Sequence, residues 1–413
     1  MYSSPEPFIL LSSVLCVYLY ILKRNGDHKS AFSIMVFFTL IIFYLPILYY
    51  KIGFEIYTNS FSRATLEFYT YLSSVVIVVQ LIVYLTVKST SKLPFKAFLK
   101  RFSRLNERRS LMVDIYFGTV MGLIFLYLIV FRNELPLYSL LTSNELLERP
   151  DATGGVPFFF TFSSIYMVVA PSSYLYYCDR IRSVGVHIVF VLLITVVLVA
   201  GGHKGLVAFF YIFIWFFVFK ARLSLPSVIL GSFLLLVYGL TKGATSFDQK
   251  VIATLLESAL RRFSVTQGVG FMARLEMMKQ GILVLGGEES IKSQVYTFIY
   301  GLKGGSHPTM FIANVIIEYG YLAAMMAYTT YVYFVALVAK SIRKFCGVNY
   351  FLLWNFFIVL FLTGMIDFTF RTIIRGSVAL INVLAVGYLL RIKVDTAAMR
   401  GSKSMYPTIT NEG

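Results

Sequence analysis

The sequence predicts an all-α, polytopic membrane protein of about eleven transmembrane helices with one large outer loop. Three observations carry this. Of the 413 residues, 58% are hydrophobic and 14% charged, with a mean hydropathy of +0.76; a soluble domain has about 45–50% apolar and about 25% charged residues. Apolar runs of about 20 residues, enough to cross a bilayer, recur along the chain. Lys and Arg gather between alternate runs, as they do in cytoplasmic loops. That asymmetry accounts for the net charge of +17, so no nucleic-acid partner is expected.

The first run, Phe8 to Leu22, follows a segment with no basic n-region and reads as a retained helix. Lys23, Arg24 and Lys29 after it should stay inside, which puts the N-terminus outside. The second run is Ala31 to Tyr50, followed by a polar outer loop, Lys51 to Leu66. The third is Glu67 to Val87. Lys88 to Arg109 carries Lys and Arg against one acid, Glu107, and marks a cytoplasmic loop suited to lying on anionic lipid.

The fourth run is Leu111 to Phe131, with Asp114 near its inner end. A mixed-charge outer loop holds Glu148 and Arg149, and the fifth run is Pro157 to Tyr177. Val184 to Ala200 turns through Gly201-Gly-His-Lys-Gly205 into Leu206 to Phe219, and Ser224 to Leu240 follows as the eighth. The ninth is about Thr309 to Ala339, long enough to begin as an outer helix or to tilt. The tenth is Tyr350 to Ile366, and the eleventh, Ser377 to Leu390, leaves the C-terminus in the cytoplasm. The chain thus divides into residues 1–241 with eight helices, an outer segment 242–308, and residues 309–413 with three helices and a tail. Within the outer segment, Val251, Leu255, Ala259 and Leu260 fit an amphipathic surface helix over Asp248 to Phe263.

Cys16, Cys178 and Cys346 form no CxxC or Cys/His cluster, so neither disulfides, a zinc site nor a cofactor is expected. Candidate chemistry lies in the outer segments, where cations are normally sparse. Arg is the preferred partner of phosphate because its planar fork gives parallel hydrogen bonds. Arg261 and Arg262 could hold one, although Arg261 also stands four residues after Glu257, a salt-bridge spacing. Arg274, close to Glu276, is a similar candidate. Arg371 and Arg375, at i and i+4, would share a helix face and clamp one anion, or would simply snorkel to the interface. Lys204, beside His203 in the glycine turn, and Arg149 are further candidate anion ligands. His307 is a candidate general base, or a residue that only opens the ninth helix before Pro308. Glu318 is an intramembrane carboxylate, functional by default or the partner of an arginine.

Three patches carry a family resemblance: Gly201-Gly-His-Lys-Gly205, Arg261-Arg-Phe263, and Gly305-Ser-His-Pro-Thr-Met-Phe-Ile-Ala-Asn-Val-Ile-Ile-Glu-Tyr-Gly320. With the overall architecture, they make the chain resemble the O-antigen polymerases of the Wzy type, which join oligosaccharide repeat units on a lipid carrier. The related O-antigen ligases usually have Asn directly after the His; Pro308 stands here. The resemblance implies a GT-C-like membrane glycosyltransferase of the bacterial inner membrane, free of metal and nucleotide sugar. Its substrate would be an undecaprenyl-diphosphate-linked oligosaccharide. A chain-length regulator and a flippase of the same pathway would be its partners. The arginines would hold the diphosphates, and His307 or an outer carboxylate such as Glu276 would take the acceptor proton. The alternatives are an O-antigen ligase and a lipid-linked oligosaccharide flippase. A flippase should carry charge in spans lining a cavity, and here only Asp114 and Glu318 fall within expected spans.

Overall fold

A computed structural model describes residues 5–26, 35–36, 39–51, 61–102, 110–135, 138, 156–181, 183–200, 204–219, 225–240, 251–252, 254–255, 266–303, 307, 309–364 and 370–391, most of them in helices joined by turns and short loops. No strand occurs among these residues. Helix α1 is Pro5–Arg24. A π-helical turn, Leu40–Tyr44, runs into α2, Leu45–Lys51. Then come α3 (Arg63–Ser89), the short α4 (Lys96–Leu99) and α5 (Leu111–Val130). Next are α6 (Phe159–Tyr177), α7 (Val184–Ala200), α8 (Lys204–Phe213, continued by a π turn at Ile214–Val218) and α9 (Leu225–Leu240). The last five are α10 (Thr266–Gln280), α11 (Ile291–Tyr300), α12 (Phe311–Cys346), α13 (Tyr350–Gly364) and α14 (Phe370–Leu389).

Four of these, α1, α3, α5 and α12, are long and apolar enough to cross a membrane. On α3 the exposed residues Phe68, Tyr71, Val75, Val78, Ile82 and Leu85 recur every three or four positions. The opposite face buries Tyr69, Leu72, Val76, Val83 and Val87. A helix apolar on both faces is solvated by protein on one side and by lipid on the other. The first helix is longer than the apolar run alone suggested. Glu6 lies in its first turn and Lys23 and Arg24 in its last, where each charge complements the helix dipole and extends the helix past the apolar run.

The helices pack as two groups on one continuous core. In one, α1 and α12 both lie against α3, and α10 fits among α3, α11, α12 and the π turn. In the other, α13 and α14 pair and pack on α6, which also carries α5 and α7; α8 and α9 follow on α7. The groups meet where α12 touches α13 and where α4 and Phe102 lie against α12, α13 and α14.

Three local features shape the first group. Pro46 has no N–H to give to the carbonyl of Ile42, four residues earlier. The Tyr69 hydroxyl donates to that carbonyl instead, next to the π turn. Gly268 of α10 rests at the same point: a Cβ there would collide with Pro46 and lie 2.6 Å from Ile42 O. The third feature divides the expected ninth span, which had the length to begin as an outer helix. It is broken at Gly320, whose φ of 83° and ψ of 174° are non-helical and strongly favour glycine. Phe311 to Tyr319 is therefore a separate short segment, and the continuous long helix begins beyond it. The expected surface helix Asp248 to Phe263 falls mostly outside the described residues.

Candidate functional site

The strongest concentration of buried charge is on α10. From Gly268 to Met277 every residue of this helix is buried. The Phe271 ring lies 5.4 Å from Tyr69 and 5.9 Å from Phe43. Farther along, Glu276 reaches Ser62, the residue that caps the start of α3. Tyr69 stands two turns inside α3, so α10 runs antiparallel to it and is sunk about 9 Å below its first turn. The expected outer segment is thus partly built into the bundle.

Arg274 is wholly enclosed. Its Nε donates to Asn314 Oδ1 at 3.0 Å, Nη1 to Gly270 O at 2.8 Å, and Nη2 to His307 O at 3.1 Å. Those three acceptors are neutral oxygens, so none of them cancels the guanidinium charge. The planar fork suits this arrangement, because its donors diverge in fixed directions. It latches α10 to the segment before α12 and to the first turn of α12 itself. His307 is buried too. Its N–H donates to Lys292 O of α11 at 3.1 Å, and its ring stacks on Tyr300 at 5.9 Å. Arg274 was expected as a phosphate ligand; the three bonds above tie it to the protein around His307.

Glu276 was expected as a candidate base, but its carboxylate is already occupied. One oxygen accepts from Ser62 N at 3.1 Å and Ser62 Oγ at 2.7 Å, the other from Gln280 Nε2 at 2.8 Å. Burial pushes its pKa up, but hydrogen bonds from Thr65, Ser62 and Gln280 outweigh it and hold the carboxyl below its ordinary value. The carboxylate faces the start of α3, where a negative charge is favoured by the helix dipole.

Glu318 is different. It is exposed and stands one helical turn beyond Asn314, the partner of Arg274. It lies in the short segment before Gly320, not within the continuous long helix. Of the three expected catalytic residues it is the accessible one.

Arg375 is half-buried in α14. Arg371 opens the same helix and Lys204 opens α8, with their side chains outside the description. Both arginines belong to α14, which pairs with α13 and packs on α6. Arg149, Arg261, Arg262 and His203 lie outside the described residues. Among those described, no group of three His, Cys, Asp or Glu side chains could hold a metal ion.

Sequence reasoning missed two members of this arrangement. Asn314 is a polar residue in the apolar run Met310 to Ile317, and a polar side chain in such a run is a signal in itself. Ser62 stands directly before an apolar helix, the position of an N-cap.

The fold and the site together define a helical membrane protein whose buried polar centre lies at one end of the bundle. No protein-family model, curated protein or solved structure matches the chain.

Proposed function

We propose that the protein is a membrane glycosyltransferase that polymerises oligosaccharide repeat units. It would move a growing glycan from its undecaprenyl diphosphate onto a new lipid-linked unit, on the outer face of a bacterial inner membrane. In this reading about eleven helices cross the bilayer, with the N-terminus outside and the C-terminus in the cytoplasm. The supporting observation is that the Gly305–Gly320 patch, on which the family resemblance rests, supplies both His307 and Asn314 to the enclosed Arg274. A chain commits a buried guanidinium where geometry has to be held, and a site that must position two large lipid-linked substrates needs that.

In the reaction, an acceptor hydroxyl attacks the anomeric carbon of the growing chain. The bond from that carbon to the diphosphate oxygen breaks, and the diphosphate leaves with the electron pair. Glu318, exposed beside the Arg274–His307 latch, takes the hydroxyl proton. Arg371, Arg375, Arg261 and Arg262 would carry the diphosphate charge, with Lys204 and Arg149 as further ligands. Arg274 and His307 position the segment that bears Glu318.

The test is deletion in the host, followed by complementation with Glu318→Gln, Arg375→Ala and Arg274→Ala at matched expression. Loss of the polysaccharide ladder, with single repeat units still attached to their acceptor, supports the polymerase. No attached glycan, with long lipid-linked polymer accumulating, makes it a ligase. Repeat units trapped on the inner leaflet make it a flippase and remove the catalytic reading.

A further inference from the structure

The Tyr18 hydroxyl on α1 is fully buried and makes no hydrogen bond among the described residues. A buried tyrosine hydroxyl usually finds a partner, because an unpaired one keeps the whole cost of leaving water. The surroundings of this one are polar. The rings of Tyr18 and Tyr84 lie 6.3 Å apart and tilted by 57°, so they do not close face to face. The Tyr18 hydroxyl interacts electrostatically with those of Tyr328 and Tyr84, yet hydrogen-bonds to neither.

Two hydrogen-bonded strings end at these tyrosines. One starts at the exposed Lys88, whose Nζ donates to Asn25 Oδ1; Asn25 Nδ2 then donates to the Tyr84 hydroxyl at 3.1 Å. The other starts inside the bundle. Thr39 Oγ1 donates to Met35 O at 2.9 Å, and Gln80 Nε2 donates to Thr39 Oγ1 at 2.7 Å and to the Tyr328 hydroxyl. Tyr328 is fully buried as well. Its oxygen accepts from Gln80, so its own proton still needs an acceptor. We propose that Tyr18, Tyr84 and Tyr328 hold one ordered internal water, which joins the two strings into a single column from Lys88 to Met35. Water is the occupant because it both donates and accepts, as the Tyr328 proton and the Tyr18 hydroxyl together require. A cation would meet only neutral groups, since no carboxylate takes part in either string. Entry is from the end of α1 and α3, where Asn25 is half-buried, and Tyr18 stands only about 9 Å inside the last residue of α1. The water ties α1 to α12, both of which pack on α3. The site does not depend on the enzymatic reading.

The test is X-ray radiolysis of the full-length protein in phospholipid nanodiscs. The beam splits water into hydroxyl radicals, and a bound water oxidises the side chains it touches even where bulk water does not reach. Tyr18 and Tyr328 should be labelled. Tyr69, equally buried but with its hydroxyl bonded to Ile42 O, should not. Tyr18 labelled no faster than Tyr69 overturns the proposal. Tyr18→Phe should cut the labelling of Tyr328 several-fold and lower the unfolding temperature, because the water loses a partner. An unchanged Tyr328 rate overturns the bridge between the two residues. A rise in unfolding temperature also overturns it, since removing a dry buried hydroxyl is stabilising.

Discussion

Arg274 and His307 are 33 residues apart in the chain, yet the guanidinium of one donates to the backbone oxygen of the other at 3.1 Å. The bond closes a triangle of α10, α11 and the start of α12, because His307 N–H is itself bonded to Lys292 O. The side chain is thus a structural latch at a candidate functional site, and its two roles are separable.

Arg274→Ala removes three hydrogen bonds, two of them fully buried, and leaves a cavity, so it should cost about 2–5 kcal/mol. Arg274→Lys keeps the charge but loses the planar fork, and should cost about 1–3 kcal/mol. Thermal unfolding of the purified protein in detergent checks the order wild type, Lys, Ala. If Arg274 instead served mainly as a ligand for a substrate anion, the Lys variant would melt with the wild type and differ only in activity.

Glu276 makes stability depend on acid. A carboxyl with a folded pKa below its unfolded value, about 4.3 for glutamate, contributes fully above that unfolded value. The contribution fades as the pH falls through the lower folded value. Glu276→Gln should therefore cost about 1–3 kcal/mol at neutral pH, where charged hydrogen bonds to Ser62 and Gln280 are weakened. The gap from wild type should narrow as the pH is lowered through the carboxylate range. Melting curves of both proteins across that range decide it; a gap constant with pH would mean the carboxyl is not held below its ordinary value.

Two kinds of glycine should respond in opposite directions to alanine. At Gly268 the new methyl meets Pro46 and the Ile42 carbonyl, backbone that cannot move aside cheaply. Gly268→Ala should cost about 1–3 kcal/mol and loosen α10 from the π turn. At Gly118 and Gly122 of α5 nothing lies within 4 Å of the added carbon. Alanine there should gain up to about 1 kcal/mol from helix propensity. Unfolding temperatures of the three single variants test this directly.

The helices were legible where bilayer thickness dictated them. Val184–Ala200 and the starts at Leu111 and Tyr350 follow from the apolar runs alone. The break in α12 was not, because a glycine in an apolar run is compatible with an unbroken helix, and only the packed structure gives Gly320 its non-helical backbone. Nor was the burial of α10. Its segment, Thr266 to Gln280, mixes Arg, Glu and Lys with Phe, Leu and Met and was expected only as part of the outer segment. Its stretch Gly268 to Met277 is buried because α3, α11, α12 and the π turn pack on it and because Arg274 and Glu276 find fixed partners. At the site, residue chemistry singled out Arg274, Glu276, His307 and Glu318 individually. Which are enclosed and which is accessible depends on long-range contacts that no local pattern encodes.

The second group of helices offers a test of how polar bonds act in an apolar interior. Tyr116 on α5 donates to Asn382 Oδ1 at 3.0 Å, and Asn382 Nδ2 donates to Asn355 Oδ1 at 3.1 Å. Asn355 Nδ2 donates to Ser172 Oγ at 3.0 Å, which donates in turn to Val168 O at 2.7 Å. The bonds run head to tail through α5, α14, α13 and α6, and both asparagines are buried. Each link polarises the next, and each loss strands a neighbour. Asn355→Ala and Asn382→Ala should each cost about 0.5–2 kcal/mol. Once one asparagine is gone, the other has already lost the bond they share, so the double variant should fall short of the sum by about 0.5–1 kcal/mol. A double-mutant cycle in detergent unfolding measures that shortfall. Strict additivity would mean that the two asparagines stabilise their helices independently, and that the chain of bonds does not act as a unit.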